Sequence, residues 1–228
     1  MEIGSADPPV RPNRPDKPEL LHPREMPRRR LTSKNGRLAF MHAIAHIELN
    51  AIDLVWDLIT RFTDSRLPRE FYDDWAKVGS DEARHFTTLQ KYLEDHGSSY
   101  GELAAHDGLW KAAESTSDDI LARLAIVPLV LEARGLDTTP VAIQKLKSVG
   151  DEIAASILNT IAQEEIAHVA AGVKWFDYIC NRRGLNPAQT FQDLVRKRFK
   201  GLLKPPFAIE ARTAAGFPRA YYEPLATG

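Results

Sequence analysis

The 228-residue chain predicts an all-α protein. Its expected architecture is an up-down-down-up four-helix bundle with an extended arm before it and a basic helix and strap after it. Three observations carry this expectation. Apolar residues recur at steps of three and four along four long stretches, the period of a helix with one buried face. Capping residues, prolines and glycines fall where those helices would start and stop. Two of the stretches also carry Glu-x-x-His, as Glu82–His85 and Glu165–His168, and each follows a stretch with a lone glutamate, Glu48 or Glu132.

Residues 1–33 read as an extended arm, because seven prolines in the first 27 residues forbid a helix. Its arginine run, Pro27-Arg28-Arg29-Arg30, suits solvation or packing on an acidic surface, with a phosphate or nucleic-acid contact as the alternative. The bundle is expected over 34–184, and the basic helix and strap over 185–228.

The first helix is expected from Ser33, a good cap, to about Phe62. Its stripe reads Met41, Ala45, Leu49, Ile52, Val55, Trp56 and Ile59, and Glu48 falls inside it. A carboxylate on a buried face is costly unless paired, protonated or metal-bound. His42 and His46 occupy a different face from Glu48 and are expected to be structural, with contact to the ligand shell as the alternative. The second helix is expected to open at Pro68 and end near Gly97, with Glu82 and His85 on its apolar face. Residues 97–116 then form a long crossover in which His106 is a loop residue.

The third helix should start near Ser117-Asp118-Asp119, kink at Pro128 and stop at Gly135–Pro140, just past Glu132. The loop after it, with Leu136, Asp137 and Thr138, is the candidate for substrate access. A short helix over 140–149 precedes the fourth long one, which should run from Asp151 to Arg182-Arg183-Gly184 and carry Glu165 and His168 in its apolar stripe. Asn186-Pro187 caps a shorter basic helix to about Lys200, whose cations read as a solvated face. The tail reads as an ordered strap anchored by Phe207, Phe217, Tyr221 and Tyr222.

An i to i+3 spacing puts Glu and His on one helix face. Glu48 precedes Glu82 by 34 residues and Glu132 precedes Glu165 by 33. Helices supplying Glu, Glu-x-x-His, Glu and Glu-x-x-His form the ligand set of di-iron and di-manganese carboxylate bundles. Glu48, Glu82, His85, Glu132, Glu165 and His168 are therefore the candidate ligands for two metals. Oxygen and imidazole donors suit two iron ions, or manganese, or a mixed pair. Thiolate zinc is disfavoured, since no cysteine joins the set. Asp81 and Glu164 precede the two motifs directly. They are expected to accept the far N–H of a ligand histidine, or else to stay surface charges, and Arg84 and Arg134 also border the ligands.

With those residues in place, the chain resembles the ferritin-like di-iron carboxylate proteins. Asp81-Glu82-Ala83-Arg84-His85 is similar to the Asp-Glu-x-Arg-His string of bacterial multicomponent monooxygenase and desaturase-type sites. Most of residues 20–220 resembles a little-characterised ferritin-like bacterial family. That likeness is carried by His42 to Leu49, Asp81 to His85, Leu131 to Asp137 and Glu164 to His168, with Pro23 to Arg29, Lys204 to Phe207 and Ala215 to Phe217. The resemblance implies the fold and the metal site but no settled reaction. Proteins related by fold include oxygenases, a tRNA-modifying hydroxylase, rubrerythrin-like peroxidases and iron stores, and fold alone does not choose among them.

The expectation is an O2- or peroxide-activating oxidoreductase acting on an unidentified small molecule. The alternatives are an iron-oxidising or iron-handling protein, or a binding bundle that a metal only stabilises. A net charge of −1 directs the chain toward neither nucleic acid nor membrane, though the arginine run and basic helix leave transfer RNA open as a partner. No run approaches the roughly 18 uninterrupted apolar residues of a membrane span. The N-terminus lacks an apolar signal core, and the single cysteine, Cys180, suits a reducing compartment. The expected location is cytoplasmic, with a homodimer left open.

Overall fold

The computed structural model describes residues 4–27, 30–63, 66–199 and 202–226. It is all-α: the described residues contain helices and no strand, and the one bridge pairs Leu20 with Ala105. Two compact units emerge from the contacts, Met1–Lys111 with Val141–Asn159, and Ala112–Pro140 with Thr160–Gly228.

In the first unit, α1 (Lys34–Arg61) and α2 (Arg69–Asp95) pack along one another. Ser33 caps α1 by accepting from the Gly36 amide, as its hydroxyl suggests. Pro68 stands one position ahead of α2, and Gly97 ends it with a left-handed φ of 79°. Of the expected turn between them, Asp64 and Ser65 lie outside the described residues, and Arg66 takes a left-handed φ of 48°. Gly79 lets the pair approach closely, since a Cβ there would meet Val55 Cγ1 at 3.1 Å. The core of the pair holds Met41, Leu54, Phe71, Trp75 and Leu89. Trp56, expected in the stripe, is instead 49% exposed. α1 is the described helix long and apolar enough to cross a membrane, but half of its most apolar window is buried and its stripe contains Glu48.

The start of α6 (Glu152–Arg182) joins this unit through Asp151, which accepts from Arg37 Nε and the Tyr92 hydroxyl. Arm residues 4–27 are non-helical and are held to this unit. Arg14 donates to Asp53 and Asn50 and lies over the Trp110 ring, and Arg11 pairs with Asp107. Of the arginine run, Arg28 and Arg29 lie outside the described residues, while Arg30 is exposed and its carbonyl accepts from the Ser33 amide. The crossover is not wholly irregular, because α3 (Gly108–Glu114) forms within it.

The second unit departs most from the sequence expectation. Asp119 caps α4 (Ile120–Ile126), which runs into a π-helical segment, Val127–Glu132, and then directly into α5 (Ala133–Ser148). The helix does not stop at Gly135. Pro128 lacks an amide hydrogen and its ring crowds the preceding turn, which ordinarily bends or breaks a helix. Here the turn widens instead, and the Ala133 amide donates to the Pro128 carbonyl five residues back. The separate helix expected over 140–149 is thus the end of α5, with Pro140 inside it.

Asn186 caps α7 (Pro187–Arg198) by accepting from the Gln189 amide. Its basic face is partly engaged: Arg198 donates to Asp118 and to the Ser115 carbonyl, and Arg196 pairs with Asp193. Lys200 lies outside the described residues. The tail is more structured than a strap. It folds into α8 (Ile209–Ala214), α9 (Arg219–Tyr222) and a 3-10 turn, Glu223–Leu225. Its anchors are aromatic as expected: Phe217 and Tyr221 pack edge-on against Phe191 or Phe176, and Tyr221 donates to Asp177.

Candidate metal centre

The first unit contains a buried group of potential metal ligands. Glu48 enters on α1, and Glu82 and His85 enter one turn apart on α2. Their side chains are 5, 1 and 2% exposed in that order. His85 Nδ1 lies 3.1 Å from Glu48 Oε2 and 3.6 Å from Glu82 Oε2, so one ring nitrogen addresses both carboxylates. A ligand atom from each residue lies within 4.8 Å of the others, close enough for a single ion to contact all three. This cluster could hold a metal ion.

The second unit repeats the pattern on its own elements. Glu165 and His168 lie one turn apart on α6, with Nδ1 of the imidazole 3.5 Å from Oε1 of the carboxylate. His168 is 1% exposed and Glu165 13% by side chain. Glu132 is the last residue of the π segment and is half-buried. The widened turn therefore sets the register at which this carboxylate leaves its helix.

The residues expected around the ligands take varied positions. Asp81 and Arg84 pair with each other at 2.7 Å on the outer part of α2, with 25% and 48% side-chain exposure. Glu164 is half-buried. Arg134 leans toward the tail, donating to the Lys204 carbonyl at 2.5 Å and facing Asp137 at 3.5 Å. Leu136, Asp137 and Thr138 form no access loop, since all three belong to α5. Leu136 is 2% exposed, Asp137 is committed to Arg212, and Thr138 returns its hydroxyl to the Arg134 carbonyl. Sequence reading missed this because Gly135 and Pro140 suggest a stop, whereas a helix already widened at Pro128 continues through both.

His42 and His46 fit the structural reading. His42 Nε2 accepts from the Gly101 amide, and its ring stacks on Tyr100. His46 meets the Tyr100 hydroxyl through Nδ1 and the His106 carbonyl through Nε2. Burial pushes the His46 imidazole down to about 4, and the Arg14 charge adds to the effect. Its ring is therefore neutral near pH 7. His106 is a loop residue, as expected.

Fold and cluster together define the class: an all-α protein with a buried carboxylate–imidazole group able to hold a metal ion. The chain belongs to the DUF455 family of proteins of unknown function, whose model matches residues 2–223. It is also similar to an uncharacterised protein of Haemophilus influenzae, with 40% identity over 214 residues, covering 89% of this chain and 72% of the relative. No solved structure matches it.

Proposed function

We propose that the chain is a ferritin-like dimetal carboxylate protein. In this reading it holds two iron ions, or manganese or a mixed pair, and uses them to activate O2 or peroxide for oxidation of a small organic substrate. The observation that carries the reading is the buried trio of Glu48, Glu82 and His85. Its sequence twin, Glu132 with Glu165 and His168, supports a second metal, because ligand type, order and spacing all recur.

The donor set fits the metals proposed. Carboxylate oxygen and imidazole nitrogen suit iron and manganese. The sole thiol, Cys180, is buried beside Asp177 and Thr190 and takes no part. Four carboxylates would balance two divalent cations, which allows such a pair to sit among apolar side chains. Asp81 and Glu164 are the groups proposed to fix the two imidazoles by accepting their far N–H. The apolar residues flanking the motifs in sequence, Val78 and Leu89 on α2 and Ile161 and Val169 on α6, are themselves buried, as a metal site kept from water requires. When bound, the metal pair supplies two electrons to O2 or peroxide, and repeated turnover requires an electron donor.

The test is anaerobic loading with Fe(II) followed by admission of O2. Oxygen uptake and a change in visible absorption are expected in the wild type, and both should disappear in Glu82→Ala. An iron-loaded protein that leaves O2 unconsumed would show that the metal only stabilises the fold.

A further inference from the structure

Beside the π segment, the second unit forms a partly open cavity of about 440 Å³. Its walls are mostly apolar, with Leu129, Val130 and Leu131 from the π segment and Phe199, Leu203 and Phe207 from the end of α7 and the tail. Four charged residues also line it: Arg134, Lys204, Arg212 and Asp137. This size and mixture suit a small ligand with a substantial apolar body and few polar anchors.

The charges indicate the sign of that ligand. Asp137 is fully committed: Oδ1 accepts from the Ala208 amide and Arg212 Nε, and Oδ2 accepts from Arg212 Nη2. Arg212 itself is only 3% exposed and lies over the rings of Phe207, Phe217 and Tyr222. Its Nη2 also reaches the Ala133 carbonyl, but its Nη1 has no hydrogen-bond partner among the described residues. A buried donor of this kind ordinarily has an acceptor. Three cations thus border the cavity against one carboxylate, Asp137, which Arg212 binds and Arg134 Nη1 faces at 3.5 Å. The surplus is positive, on apolar walls.

We propose that this cavity binds a small organic carboxylate with an aliphatic body. The carboxylate would lie toward Arg134 and Lys204, with the chain against Leu129, Leu203 and Phe207. The site requires no metal ligand, so the proposal stands independently of the dimetal reading.

Isothermal titration of the full-length protein tests it, using octanoate as the probe and octanol, acetate and inorganic phosphate as comparisons. One octanoate per chain is expected, with octanol and acetate each at least tenfold weaker. Arg134 and Lys204 are partly or fully exposed, so the Arg134→Ala/Lys204→Ala variant should stay folded. It should bind octanoate at least fivefold more weakly and leave octanol unchanged. Leu202→Glu, which places a negative charge at the cavity wall, should weaken octanoate at least tenfold. Absence of octanoate binding would overturn the proposal, as would equal affinity for octanol or an unaffected double variant. Phosphate or acetate binding as tightly as octanoate would show a simple anion site and overturn it equally.

Discussion

At the residue scale, the candidate ligands were the most legible feature of the chain, because chemistry marks them against their surroundings. Glu48, Glu82 and His85 each interrupt an apolar stripe, and all three are buried within ligand distance of one another. Arg212 and Asp137 were not legible. They lie 75 residues apart, and nothing local announces that they form a buried pair. Removing one partner strands the other charge, so Asp137→Ala should cost ~3–5 kcal/mol in urea unfolding. A loss below about 1 kcal/mol would mean that the pair adds little. Cys180 offers a second check. Burial pushes its thiol up to about 11, with the Asp177 charge adding to the effect. The reactive thiolate is thus scarce at pH 8, and its fraction should rise about tenfold per pH unit until that value is approached. An aromatic disulfide reagent should label the native protein slowly at pH 8 and the guanidinium-unfolded protein quickly. Rapid labelling of native protein would contradict the burial of this side chain.

At the element scale, sequence located the starts of helices better than the end of the third. Ser33, Asp119 and Asn186 each act as the cap their side chains suggest, since capping is a local interaction between a short polar group and nearby amides. The supposed stop at Gly135–Pro140 failed because a π turn had already absorbed the mismatch introduced by Pro128. Gly172 is the partner signal that sequence could not decode. A Cβ there would come within 2.8 Å of Pro128 Cβ and 3.1 Å of Leu129 Cδ2, so α6 needs glycine where the π segment crosses it. Gly172→Ala should destabilise by ~1–3 kcal/mol through overpacking. Gly135 lies in α5 with no atom within 4 Å of an added Cβ, so Gly135→Ala should stabilise by ~0.4–1 kcal/mol. Thermal or urea unfolding of the two variants decides the matter, because effects of equal sign would refute this placement of the π segment.

At the scale of the whole molecule, helical period and punctuation revealed the all-α class. The arm and tail were harder to read, because their order comes from distant partners. Arg14 is fixed by Asp53 and Asn50, and Tyr221 by Asp177, and neither pairing has a sequence-local signal. Function at this scale rests on whether the two Glu-x-x-His motifs serve one metal pair. An ion that binds only the folded state stabilises it by mass action, adding ~2.7 kcal/mol at a hundredfold excess over Kd. Fe(II) should therefore raise the unfolding temperature of the wild type and not that of Glu82→Ala. The most direct measurement is the metal count after anaerobic Fe(II) loading and removal of free iron. The dimetal account predicts two irons per chain in the wild type, with both lost in Glu82→Ala and in Glu165→Ala while the helical content is kept. Zero or one iron per natively folded chain, or retention of both by either variant, would contradict it.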